Sequence, residues 1–128
     1  MPENDQGNVG RGADVVEGEL RFPADAVAFR GAIARVTLLD VTRADAPART
    51  VAEQAIANVT HPGGEGQPVV FTLRLQQRDP RARYVVRAHV DVNGDGRVSR
   101  GDYISAESYP VLTFGHSNRV VVRLRSVA

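Results

Sequence analysis

Residues 91–102 read D-V-N-G-D-G-R-V-S-R-G-D, which places oxygen-bearing side chains at positions 1, 3, 5, 9 and 12 of a twelve-residue loop and glycine at position 6. Donors in that order suit a hard cation such as calcium, which takes six to eight oxygens at about 2.3–2.6 Å and can be wrapped by one short segment. The pattern predicts side-chain ligation by Asp91, Asn93, Asp95 and Asp102, a backbone carbonyl from Arg97, and Ser99 directly or through water. Gly96 supplies the bend. The competing reading is an Asn-Gly and Asp-Gly turn with solvated acids, because those dipeptides also mark hairpins. Asp102 stands where such loops usually carry a bidentate Glu, so a shorter arm must draw the loop tighter and the expected affinity is modest.

The flanks decide what an ion would do here. Upstream, Tyr84, Val86, Ala88, Val90 and Val92 alternate with Val85, Arg87, His89 and Asp91, a period of two that predicts a strand with a mostly polar outer row. Downstream, Tyr103 to Phe114 contains Pro110 and many β-branched or aromatic residues, which argues against a helix. The loop is therefore expected to replace a hairpin turn, so that binding fixes two strands and does not open a helix pair. Similar alternating runs lie near residues 14–22, 32–41, 50–58, 69–76, 83–92, 107–114 and 118–126. Seven short strands with turn chemistry between them predict an all-β chain folded as an immunoglobulin-like antiparallel β-sandwich. The run Val51 to Ala57 favours a short helix by propensity, unless strand pairing overrides it. Residues 1–12 are polar and glycine-rich and read as a flexible N-terminal tail, leaving 13–128 as one domain.

Composition removes several function classes. With 128 residues, 42% hydrophobic and no tract of eighteen apolar residues, the chain suits one ordinary core without a membrane-spanning helix. Cysteine is absent, which excludes disulfides, thiolate catalysis and sulfur-ligated zinc. A net charge of +1, with the arginines scattered, gives no footprint for nucleic acid. No nucleophile elbow, H-E-x-x-H helix, P-loop or dinucleotide fingerprint is present, so the expectation is a non-enzyme without catalytic residues. His61, beside Pro62 in the stretch H-P-G-G-E-G, and His116 are expected at the surface. His89, on the outward row, is placed to hydrogen-bond an ion ligand. Asp40 and Asp45 read as turn residues.

The segment from Phe22 to Ile56 resembles the core pattern of the YbaY-type lipoprotein family, with Leu39, Asp40, Ala44, Asp45, Ala46 and Pro47 in the family's Leu-x-Asp and Ala-Asp-Ala-Pro places. Gln67 to Leu73 and Tyr109 to Thr113 resemble its later strands, so that the resemblance spans roughly 15–125. It implies an immunoglobulin-like sandwich held at the envelope by a lipidated cysteine and facing the periplasm. Pilotin-like relatives that assist secretin assembly in type III secretion are among its kin. The implied role is a protein-interaction or assembly-assisting module of the bacterial envelope with a secretion-protein partner. This chain departs by lacking the cysteine and by carrying the loop, which over its twelve positions is similar to the Asp-ended loops of cellulosomal dockerins. No signal peptide is visible, so the sequence also allows the cytoplasm, or a leader replaced by Met1. A calcium-stabilised carbohydrate-binding module is the alternative, with only Tyr84, Tyr103 and Tyr109 to serve a sugar platform. A metal-dependent hydrolase ranks last, because the loop's own donors would nearly saturate calcium.

Overall fold

Alternating apolar residues can hide one row of side chains only if the opposite row stays in water, and this chain applies that rule from end to end. The computed structural model describes residues 14–128, so the expected tail at 1–12 lies outside the described residues. Eight strands follow in order: β1 (Asp14–Arg21), β2 (Phe29–Asp40), β3 (Arg49–His61), β4 (Val69–Leu75), β5 (Tyr84–Asp91), β6 (Tyr103–Ser105), β7 (Tyr109–Val111) and β8 (Arg119–Ser126). No helix occurs among the described residues. Val16 and Leu20 of β1, Val36 and Leu38 of β2, Phe71 and Leu73 of β4, Val86 and Val90 of β5 and Val122 of β8 are fully or almost fully buried. Each such side chain contributes about 1.5–3 kcal/mol of transfer free energy.

The strands are hydrogen-bonded in the order β3-β2-β5-β6-β8-β1-β4, with β7 on β5 beside β6. This path corrects the expected architecture. β8 pairs in parallel with β1 through Arg119 to Arg123 and then antiparallel with β6 through Leu124 to Ser126, so one strand joins what two separate sheets would have kept apart. The end strands also approach each other, and the backbone N–H of Thr72 on β4 donates to Oε1 of Gln54 on β3 at 2.8 Å. The result is one curled, nearly closed, barrel-shaped sheet and not clearly a sandwich.

One local expectation holds against a competing propensity, and another changes. The run at 50–58 is a strand throughout, because pairing with β2 from Phe29↔His61 to Asp40↔Arg49 overrides the helical propensity of its alanines. Its register slips between Ala32↔Val59 and Ala34↔Ile56. Asn58 sits in that bulge at φ 58°, a left-handed conformation that asparagine tolerates better than most residues. The change is that the region after the loop forms two short strands, both paired with β5.

Pairing also sorts the loops into two poles. Asp14 lies opposite Leu75, Asp40 opposite Tyr84, and Tyr84 opposite Val111, which gathers the N-terminal entry and the loops 41–48, 76–83 and 112–118 at one end. Leu20 opposite Val69, Phe29 opposite His61 and Ile33 opposite Asp91 gather the loops 22–28, 62–68 and 92–102 at the far end. The candidate site therefore sits opposite the point where the chain enters the fold.

Candidate functional site

β5 and β6 are antiparallel neighbours through His89↔Ile104 and Val90↔Tyr103, so the next step brings Asp91 and Asp102 face to face across the hairpin mouth. The first and last predicted ligands thus close the loop they belong to. Both are buried, at 0% and 1% exposure, which carboxylates accept only with full hydrogen bonding. Asp91 receives it from inside the loop: Gly94 N–H donates to Oδ1 at 3.0 Å and Gly96 N–H to Oδ2 at 2.8 Å. Arg35 of β2 adds its guanidinium to Oδ2 at 3.3 Å. Burial pushes the Asp91 carboxyl up, but the Gly96 amide, Arg35 and the Gly94 amide together outweigh it and hold the group below the ordinary carboxylate value.

Asp102 ties the two sides together. Val92 N–H donates to its Oδ1 at 2.9 Å, and Ser99 N–H to its Oδ2 at 3.1 Å. His89 Nε2 lies 2.8 Å from the same Oδ2. The donor atoms of His89, Asp91 and Asp102 lie within 4.8 Å of one another. Sequence set His89 on the same strand face as Asp91, as the hydrogen-bond partner of an expected ligand, and in the structure its partner is Asp102.

The remaining predicted ligands line the exposed limb. Asp95 N–H donates to Asn93 Oδ1 at 3.3 Å and Arg97 N–H to Asp95 Oδ1 at 2.9 Å, successive turns in which a side chain accepts from the backbone two residues on. Asn93 Nδ2 reaches Asp95 Oδ2 at 3.4 Å and Ser99 Oγ at 3.5 Å. Gly94, Gly96 and Gly101 all have positive φ, at 73°, 78° and 96°, so the glycines carry the curl. Of the predicted ligands the structure brings Asp91 and Asp102 together, with His89, while Asn93, Asp95, Arg97 and Ser99 follow along the limb and Asp95 stays outside that cluster. The donor set is hard oxygen throughout, and Oδ1 of Asp91 and Oδ1 of Asp102 each accept one hydrogen bond and keep a free lone pair. Such a set fits calcium better than a soft metal.

Beneath the loop lies a feature that sequence reasoning missed. His61, expected at the surface, is 3% exposed. Its ring stacks on Phe22 with centroids 4.1 Å apart and lies 5.6 Å from Phe29, while Tyr103 meets Phe22 edge-on at 5.3 Å. His61 Nε2 is bonded to the carbonyl of Gly64 at 2.6 Å, and Gly64 N–H donates to Ala26 O at 2.8 Å, so the glycine-rich loop is pinned to the fold. Tyr103, directly after Asp102, accepts a hydrogen bond from Val27 N–H at 3.0 Å. The loop and this aromatic cluster therefore share a strand. Only the pairing of Phe29 with His61 could have revealed the burial, and register is not visible along a single sequence.

Other candidate residues resolve into structure. Asp40 accepts from Thr42 N–H at 2.9 Å and from the Thr42 hydroxyl, a strand-end turn as expected, and the Thr42 hydroxyl chiefly holds its carboxyl below the ordinary value. Asp45 is exposed and pairs loosely with Arg43 at 3.9 Å. His116 is exposed. Tyr84 and Tyr103 are buried, at 4% each, so of the three tyrosines only Tyr109 lies near the surface.

The fold and the site together define an all-β domain whose barrel-shaped sheet closes one pole with a buried acidic hairpin. Its residues 12–124 match the family of type III secretion system lipoprotein chaperones (YscW), and the chain belongs to that family. The family is one of non-enzymatic chaperones. A solved structure, that of an alternative pilotin from the type II secretion system of Vibrio cholerae, is similar, with a TM-score of 0.72 and 27% identity over 91% of this chain and 98% of that one. No curated protein matches. The match carries the pilotin-like side of the sequence resemblance, and it does not carry the YbaY-type name.

Proposed function

We propose that the chain is an assembly-assisting chaperone of the bacterial cell envelope. Its client would be the secretin or another component of a secretion system, and its 91–102 hairpin would be a calcium clip. The family match over 12–124 carries the first part, and the similar pilotin fold supports it. An envelope location follows from the same relationship. Recognition needs no reaction chemistry, in keeping with a molecule whose buried charges all serve hydrogen bonds that hold strands.

The calcium part rests on the loop. Two carboxylates that face each other at the mouth of a hairpin repel when ionised, and a divalent cation between them converts that repulsion into attraction. The Asx turns already curl the limb that carries Asn93 and Asp95, so binding requires small adjustments of side chains. The ion would tighten β5 against β6 and, through Tyr103, the cluster around His61. Its role would be structural.

The test is capture of the client from envelope extract by immobilised chain, in calcium and in chelator. Enrichment of a secretion-system subunit in calcium supports the reading, and its loss in chelator ties the clip to the client. Failure to enrich any such subunit in either buffer overturns the chaperone assignment.

A further inference from the structure

The pole opposite the 91–102 loop carries a feature that the loop does not explain. Phe114 is 56% exposed and is the one aromatic ring among the exposed large hydrophobics of the described residues. Its backbone is at φ 56°, and Leu112 two residues earlier is at φ 75°. Left-handed conformations are costly for residues with a Cβ and persist where the surroundings impose them. Here the turn is held by Thr113, whose hydroxyl donates to Ala82 O at 2.6 Å, and by Arg78, whose guanidinium donates to Leu112 O. The strained turn presents the phenyl ring outward with the Arg83 guanidinium 4.5 Å from its centroid.

The same Arg78 also grips Asp14, with Nη2 to Oδ1 at 2.7 Å and backbone N–H to Oδ2 at 3.0 Å. One guanidinium therefore bolts the residue at which the preceding 13 residues enter the fold to the turn that displays Phe114. Beside the ring stands Arg83, and Arg81, two residues earlier in the same loop, is exposed with it; neither forms an ion pair among the described residues. Asp79, the nearest acid in sequence, spends Oδ1 on the Arg81 backbone N–H at 2.9 Å. An exposed aromatic flanked by arginines is the pairing that sits at a bilayer surface, with the ring at acyl depth and the cations among anionic headgroups.

We propose that this pole is a membrane-contacting surface for anionic phospholipid, with Phe114 as the inserting ring and Arg81 and Arg83 as the headgroup ligands. The chain would then sit with this pole on the bilayer and present the 91–102 loop and its aromatic cluster away from it. The inference rests on membership of a lipoprotein family, and neither the ion nor the client enters its test.

The chain has no tryptophan, so Phe114→Trp makes a single reporter. In chelator, which prevents calcium from bridging the far loop to lipid, its emission should shift to shorter wavelength with vesicles of equal parts phosphatidylcholine and phosphatidylglycerol. It should stay unchanged with phosphatidylcholine alone and with inorganic phosphate. Val98→Trp at the opposite pole should report no shift with either vesicle. Adding Arg81→Gln and Arg83→Gln should weaken the response roughly tenfold or more. Sedimentation of the wild-type chain with the same vesicles, against an otherwise wild-type Arg81→Gln/Arg83→Gln chain, reads the binding without relying on the reporter. No shift and no sedimentation, equal shifts at both poles, or a shift without lipid as protein concentration rises would each overturn the proposal. The last would mark a contact between copies of the chain.

Discussion

Asp91 is the residue on which the hairpin turns. It has no access to solvent, and its two oxygens hold Gly94, Gly96 and Arg35. Replacing it by alanine leaves two amides and a guanidinium without their acceptor, and Asp91→Ala should cost about 2–4 kcal/mol in chemical denaturation. Asp95 offers the complementary case because its side chain is exposed and does not anchor the hairpin mouth. Asp95→Asn should leave the melting temperature in chelator within about a degree or two of wild type. It should also erase most of the rise that calcium produces, a rise worth about 2.7 kcal/mol at one hundred times the dissociation constant. A wild-type chain whose melting is the same in calcium, magnesium and chelator would remove the ion from the account.

Acid should act at the same residues. The carboxyls of Asp91, Asp14 and Asp40 are all held below their ordinary value of 3.8. For Asp14 the Arg78 side-chain hydrogen bond is the main cause. A group with a lowered folded value binds its proton more weakly in the native state, so its stabilisation is present above the ordinary value and is lost as pH falls through the folded one. Stability should therefore be flat near neutrality and fall from about pH 4 downward. Asp14→Asn should make that fall shallower, as read by denaturation midpoints across the range. A chain that loses stability equally between pH 7 and 5 would contradict this.

At the level of the elements, β1 is the most constrained by its neighbours. A Cβ added at Gly18 would lie 2.2 Å from the carbonyl oxygen of Val120 on β8 and 2.7 Å from Cζ of Phe71, which covers the glycine from β4. Backbone cannot withdraw as a flexible side chain can, and Gly18→Ala should cost about 1–3 kcal/mol in denaturation midpoint. Most strands were legible from their period of two, as β1, β4, β5 and β8 show, because one buried face imposes alternation. β3 was only half legible, since its buried positions Val59 and His61 follow a bulge that breaks the phase. The candidate ligands could be nominated from sequence because all lie within twelve consecutive positions. Arg35 could not, because it reaches Asp91 from another strand 56 residues away.

On the scale of the whole molecule, barrel closure was hidden for a similar reason. β8 divides its pairing between β1 and β6, and no local pattern states where a strand changes partner. The resulting shape separates two ends, with the chain entry and Phe114 at one and the acidic hairpin and aromatic cluster at the other. A chaperone held at a membrane needs that division, with one end to stay and the other to serve a client. The most direct measurement is the assembly state of the secretin in the envelope of cells that lack the gene for this chain, with the wild-type gene restored or withheld. The account predicts unassembled subunits without the chain and recovery of the multimer on restoration. Equal multimer in both cells would contradict it.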